Sequence, residues 1–291
     1  MAFTARRAYI GRMKQNTTIA FTKMNGLGND FVIIDARDSS LELTPAAVRA
    51  LAGRDNATTK GCDQLLVIHP SRAAGDVFMQ IFNADGSEVE ACGNGTRAVA
   101  AYLAQNGIGK ATLETLAGPL ACSSKKSDGV LQVEVAMQLP IIGAPLQLHQ
   151  DLPPALPVTI GNPHAVIFVE TGTAGMAAQY GFQLERHKAF PERANINFAS
   201  LVDDTTIRLD TWERGVGLTK ACGTGACATA VAAVAQGLCT AGSVTIRPPF
   251  NLDDNPRDVL VIDYQPDAHL LMRGPVMHDF EAQVEIESGA A

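Results

Sequence analysis

No basic stripe runs along this 291-residue chain, and its formal net charge is −7. That excludes nucleic acid as a partner, because phosphate binding needs clustered Lys and Arg. No run of about 18 apolar residues occurs, which excludes a membrane-spanning helix. The first twenty residues, MAFTARRAYIGRMKQNTTIA, hold no acid and four basic residues. They lack the apolar core of a secretory signal. Residues 1–19 therefore read as an extension outside the folded body, either a transit peptide or residues ahead of a later start at Met13. The chain reads as cytoplasmic. Its six cysteines, at 62, 92, 122, 222, 227 and 239, form no Cys-x-x-Cys pair. Zinc-site spacing is missing, and a reducing compartment disfavours a disulfide scaffold. Cys122 and Cys239 fit as small buried apolar residues. Neither a metal nor a cofactor is expected.

What is present is an ordinary globular balance, 46% hydrophobic and 18% charged, with length enough for two domains. One motif occurs twice. Ala91-Cys92-Gly93-Asn94-Gly95 returns as Ala221-Cys222-Gly223-Thr224-Gly225, 130 residues later. At the same offset Ala98 meets Ala228, Ala100 meets Ala230, Gly107 meets Gly237, and Phe82-Asn83 meets Trp212-Glu213. Gly28-Asn29 answers Gly161-Asn162 at an offset of 133. Such an ordered series is an internal repeat.

The elements repeat too. Residues 32–35, 65–68, 77–83 and 131–137 read as strands, as do 157–160, 165–170, 197–202, 206–212 and 243–247. Thr44-Pro45 opens a helix to Ala52. Thr96–Gln105 and Ala226–Gln236 are alanine-rich helices, the second without a charge. A helix apolar all round is buried on every side. The expected fold is α/β (α+β): two pseudo-symmetric halves, each a curved mixed or antiparallel sheet wrapped around a central apolar helix. Five prolines between Pro140 and Pro157 place the boundary near 138–143.

A cysteine at a helix start sits among free amides at the positive end of the dipole. That lowers a thiol pKa from about 8.5 toward neutrality and provides an anion site. If duplication brings Cys92 and Cys222 face to face, a carboxylate can accept amides from both helices. One thiolate then removes an α-proton and the opposite thiol returns a proton to the other face, with the amides stabilising the charge that develops. His164 and Glu213 are placed to tune or hydrogen-bond a thiol, and Arg214 is a fork for a second carboxylate. The rival from another class is a thiol redox or metal-binding protein using Cys92, Cys222 and Cys227. Cys227 itself reads as a packing residue.

The residues also resemble a family. Phe21 to Phe31 (FTKMNGLGNDF), Asp63-Gln64-Leu65-Leu66, Phe82 to Ser87 (FNADGS), Ala91 to Arg97, Gly161-Asn162-Pro163-His164, Pro191 to Asn195 (PERAN), Glu213-Arg214-Gly215 and Ala221 to Cys227 resemble diaminopimelate epimerase, in order and to the C-terminus. The resemblance implies cofactor-independent interconversion of LL- and meso-2,6-diaminoheptanedioate in lysine and peptidoglycan biosynthesis, in a homodimer; a proline racemase-like enzyme of the same superfamily is the near rival. It implies that Cys92 and Cys222 are the acid/base pair, supported by His164 and Glu213. Asn29, Gln64, Asn83, Asn162, Asn195, Glu213 and Arg214 would bind substrate, and Gly93-Asn94 with Gly223-Thr224 would receive the reacting carboxylate. It divides the chain into 20–138 with a returning strand at about 276–288, and 139–275. Three positions depart from the family pattern: Lys60-Gly61-Cys62 ahead of Asp63-Gln64, Leu218 where Glu is usual, and no Gly-Gly turn near Pro248-Pro249.

Overall fold

The computed structural model describes residues 16–90, 92–127, 129–170, 172–249, 251, 255 and 258–287. Ala91 of the first motif lies outside them. The first half runs β1 (Asn16–Gly26), β2 (Asn29–Asp35), α1 (Pro45–Ala52), β3 (Gln64–Pro70), β4 (Val77–Asn83), β5 (Glu88–Val89), α2 (Gly93–Gln105), β6 (Lys110–Thr115), β7 (Gly118–Ser127) and β8 (Val130–Ala136). The two-residue β9 (Ile141–Ile142) leads into the second half. There follow β10 (Leu156–Ile160), β11 (Asn162–Phe168), α3 (Met176–Glu185), β12 (Asn195–Asp203), β13 (Thr206–Glu213), β14 (Gly217–Thr219), α4 (Gly223–Ala235), β15 (Gly242–Arg247), β16 (Leu260–Gln265) and β17 (His269–Glu287).

The repeat seen in the sequence is a repeat of topology. β1–β2 is antiparallel, β2–β3 parallel, β3–β4 antiparallel and β4–β6 parallel. β10–β11, β11–β12, β12–β13 and β13–β15 repeat that order. Each sheet curls around one helix. α2 packs on strands of the first half and on β17, and α4 on strands of the second half and on β17. Alanine makes this possible. Ala98, Ala100 and Ala101 of α2 and Ala226, Ala228, Ala230, Ala232 and Ala233 of α4 are buried, so sheet and helix approach closely. Both helices feed one continuous apolar core and contribute by the area they remove from water.

Local signals act where expected. Thr44 caps α1, its Oγ1 accepting from Ala47 N at 3.2 Å, with Pro45 in the first turn. β8 alternates, with Val133 and Val135 buried between half-buried Gln132 and Glu134. Two boundaries differ from expectation. β1 starts at Asn16, inside the stretch read as an extension, because Asn16 to Asn25 pair with Met277 to Glu287 of β17. β17 is also longer than the closing strand expected at about 276–288, of which residue 288 lies outside the described residues. It pairs with β16 at His269–Arg273, with β8 at Leu271–Val276 and with β1 beyond. One strand thus belongs to both halves.

Candidate active site

The two motifs form matching helix starts. Cys92 and Cys222 are the N-caps of α2 and α4, each in extended backbone, and each helix is 13 residues long. Cys92 Sγ accepts from Gly95 N at 3.3 Å, and Cys222 Sγ from Gly225 N at 3.4 Å. A thiol replaces the usual hydroxyl cap. The two starts meet: a Cβ on Gly93 would lie 3.8 Å from Gly223 Cα. Asn94, in the first turn of α2, donates from Nδ2 to Ala221 O at 3.0 Å, one residue ahead of Cys222.

The starts open into a cleft of about 1080 Å³. Its lining includes Asn29, Gln64, Asn83, Cys92, Gly93, Asn94, Asn162, Glu213, Arg214, Cys222, Gly223 and Thr224. His164 and Asn195 are not on that lining. Asn195 is buried, donating from Nδ2 to Pro163 O at 3.1 Å and accepting from Arg214 N at 2.9 Å through Oδ1. It shapes the turn that carries Arg214. His164 is buried as well. Its Nε2 faces Asn162 Oδ1 at 2.9 Å and its Nδ1 faces Asn197 Nδ2 at 3.1 Å. Those partners fix one tautomer, Nε2–H donating and Nδ1 accepting. Burial and the nearby Arg214 charge push its pKa down to about 3, so the ring is neutral. His164 therefore orients Asn162 rather than bonding a thiol.

Glu213 stands close enough to Cys222 for its charge to bear on the thiol, and it accepts from Thr219 Oγ1 at 2.6 Å. Burial raises its pKa above the usual carboxylate range. Thr224 Oγ1 lies 3.6 Å from Cys222 Sγ. Arg214 is exposed at the end of β13, with Nη1 donating to Glu192 O at 3.0 Å. Asn29 is tied from both ends, to Asp63 Oδ2 at 2.9 Å and to Asn94 Nδ2 at 2.7 Å. The β1–β2 hairpin presents it through Leu27 (φ 55) and Gly28 (φ 79). A Cβ on Gly28 would stand 2.9 Å from Lys220 Cδ, so glycine lets the first half approach the residue just ahead of the second motif. Gln64 donates to Asn83 Oδ1 at 3.2 Å, while its buried Oε1 has no partner among the described residues. Leu218 is exposed on β14 beside the cleft, and Cys62 is buried.

The expected thiol pKa is corrected. Burial, not the helix start, dominates: it pushes Cys92 up to about 11 and Cys222 well above its ordinary value. The amides of Gly95 and Gly225 oppose this and lose. Cys222 is buried and Cys92 half-buried at the cleft, and both thiols are held above their ordinary value.

Four residues packed behind the thiols carry no signal in the motifs. Asn197 and Thr211 stand behind α4, with Thr211 Oγ1 donating to Asn197 Oδ1 at 3.1 Å. A Cβ on Gly225 would meet Asn197 Oδ1 at 2.6 Å, and one on Gly95 would meet Leu66 Cδ2 at 3.2 Å. Asn197 thus answers Leu66. The strand registers extend the match, His164 answering Phe31 and Thr211 answering Ile81. A polar residue inside each of two strands, β12 and β13, where the repeat is apolar was the available signal. Arg97 and Met272 are the other two, and they sit behind the helix starts.

A sequence profile described as diaminopimelate epimerase matches residues 21–140 and 157–251. Diaminopimelate epimerase of Sphingopyxis alaskensis is 45% identical over 284 residues, covering 91% of this chain and 97% of that one. That of Rhodospirillum centenum is 43% identical over 277 residues, 91% of each. Among solved structures, a predicted epimerase from Pseudomonas aeruginosa superposes with a TM-score of 0.69 at 17% identity over 91% of this chain and 99% of its own. A hydroxyproline epimerase from Agrobacterium vitis gives 0.66 at 15% over 95% of each. These structures share the fold, mixed α+β with sheet curled around helix.

Proposed function

Because this chain belongs to the diaminopimelate epimerase family, we propose that it interconverts LL- and meso-2,6-diaminoheptanedioate without a cofactor. Cys92 and Cys222 are the two acid/base residues. The observation that carries this is the meeting of two cysteine-capped helix starts across one cleft. A carboxylate received by the first-turn amides at Gly93-Asn94 and Gly223-Thr224 has its α-carbon between the two sulfurs. One sulfur takes the α-proton and the other gives a proton to the opposite face, which inverts the centre. The amides and dipoles stabilise the charge that develops, in a site dry enough for them to count.

The rest of the cleft suits a long substrate with charges at both ends. Arg214 offers its guanidinium to the distal carboxylate. Gln64 Oε1, buried and unpaired among the described residues, accepts from an ammonium. Asn29, Asn83 and Asn162 line the same space, and His164 and Asn195 hold Asn162 and Arg214 from behind. Glu213 supports Cys222. The finer assignments are a homodimer in the cytoplasm, each subunit built from a first half that opens with β1 at Asn16 and runs to residue 138 and a second half from residue 139, with β17 shared between them. A monomer by light scattering at working concentration overturns the first.

The decisive experiment is incubation with LL-2,6-diaminoheptanedioate in D₂O under reducing conditions and without added cofactor. Deuterium enters at the α-carbon as the meso form appears. Absence of exchange overturns the assignment.

A further inference from the structure

Behind the first thiol lies a charge without a counter-ion among the described residues. Arg97, the fifth residue of α2, is fully buried. Its Nη1 reaches Met272 Sδ at 3.6 Å, while Nε and Nη2 have no hydrogen-bond partner among the described residues. Burial pulls its pKa down to about 10, which still leaves it charged at neutral pH. An uncompensated guanidinium in a dry core is costly, and structure alone gives no reason to keep it.

The repeat shows that the fold does not require it. The fifth residue of α4 is Cys227, small and buried. One half carries a cation where its twin carries a neutral thiol. The cation is also aimed. Met272 lies beneath both helix starts, since a Cβ on Gly93 would meet its Cε at 3.2 Å and one on Gly223 its Sδ at 3.0 Å. Arg97 therefore stands directly behind the place where the two starts meet, with a polarisable thioether between.

Glu213 bears on both thiols, and only one of them also has a cation. Cys92 is faced by Glu213 from β13 and, less strongly, by Arg97 from its own helix. Cys222 is faced by Glu213, by Thr224 and by Cys92. Arg97 itself is faced by Cys92 and, from α4, by Cys227. A nearby cation favours a thiolate and a nearby carboxylate favours a thiol.

We infer that Arg97 is a positioning residue whose uncompensated charge makes Cys92 the thiol that ionises first, leaving Cys222 as the proton donor opposite it. The inference rests on the two-thiol reading above. In that order Cys92 thiolate takes the α-proton and becomes the thiol, while Cys222 gives its proton to the other face and becomes the thiolate. The reverse reaction starts from the exchanged state.

The test reads ionisation without needing turnover. The full chain is alkylated with iodoacetamide at fixed pH near 8, and modification of Cys92 is followed by peptide mass spectrometry. R97M and R97Q, one apolar and one neutral but polar, should slow Cys92 alkylation about tenfold or more, one pKa unit being tenfold in thiolate. R97K should restore most of the rate. The acid limb of kcat/KM should move to higher pH by about one unit in the neutral variants and stay in R97K. A structural role alone would move melting temperature and leave the limb in place. Alkylation of Cys92 at the wild-type rate in folded R97M or R97Q overturns the inference and leaves the epimerase reading standing. Failure of deuterium exchange in wild type overturns the function and leaves the alkylation result intact.

Discussion

Behind Cys92 the first half packs Phe31, Leu66 and Ile81; behind Cys222 the second half packs His164, Asn197 and Thr211 at the answering positions. The strand order, the helix length and the capping bonds are the same on both sides. Only the chemistry differs. The first thiol has an apolar wall and a buried cation, the second has a hydrogen-bonded relay, and the Glu213 carboxylate bears on both. A symmetric pair of acid/base groups cannot hold one proton between them in a defined place; an asymmetric pair can. Around the two thiols, divergence after duplication has changed side-chain electrostatics and kept the strand order and the central helix length.

The comparison is broken most severely at the sulfurs. Cys92→Ala and Cys222→Ala should each lower kcat for epimerisation roughly 10³-fold or more, measured by stereoselective assay; a wild-type rate in either removes that half from the chemistry. Next comes the carboxylate that only the second half owns. Glu213→Gln should cost on the order of 10²-fold in kcat. Asn83→Ala, at the answering position, should raise KM and leave kcat within about threefold. Equal kcat losses would mean that the two sides do the same work.

The third test is of stability. His164 has a folded pKa of about 3 against 6.5 free. The folded state excludes a proton that the unfolded chain binds, so stability is complete above 6.5 and falls as pH drops toward 3. Urea denaturation should show a loss of about 2 kcal/mol between pH 7.5 and 5 from this group. His164→Phe, which installs the first half's Phe31, should remove that loss but cost about 1–3 kcal/mol at neutral pH by stranding Asn162 and Asn197. The smallest effect separates the outer helices. α1 has its Thr44 cap, whereas α3 starts at Gly175 (φ 78) with no side-chain cap bond. Thr44→Ala should cost about 1 kcal/mol, read as a lower urea midpoint.

Much of this was legible because local chemistry decides it. Thr44-Pro45 starts a helix wherever it stands, and Cys-Gly-x-Gly ahead of alanines fixed both thiols and both central helices. What was hidden depends on distant neighbours. α3 has Gly181 at its centre, a weak helix former; a Cβ there would lie 2.4 Å from Trp212 Cγ, so glycine is present for packing. β17 contains Gly274 and Pro275 and reads as broken, yet Leu260 and Arg97 crowd Gly274, and Pro275 sits where β17 passes between partners. The thiol pKa was misread because the pattern displays the helix start and conceals the depth of burial.

The shared strand has a consequence for how the chain is made. β1 is among the first segments described, and its partners, Met277 to Glu287, are among the last. During synthesis the first half must wait, its sheet open along one edge, until the second half has been translated. Pairings so far apart in sequence are slow to form. The β1 edge therefore closes only after β17 has been made, and neither thiol meets its opposite before the other half exists.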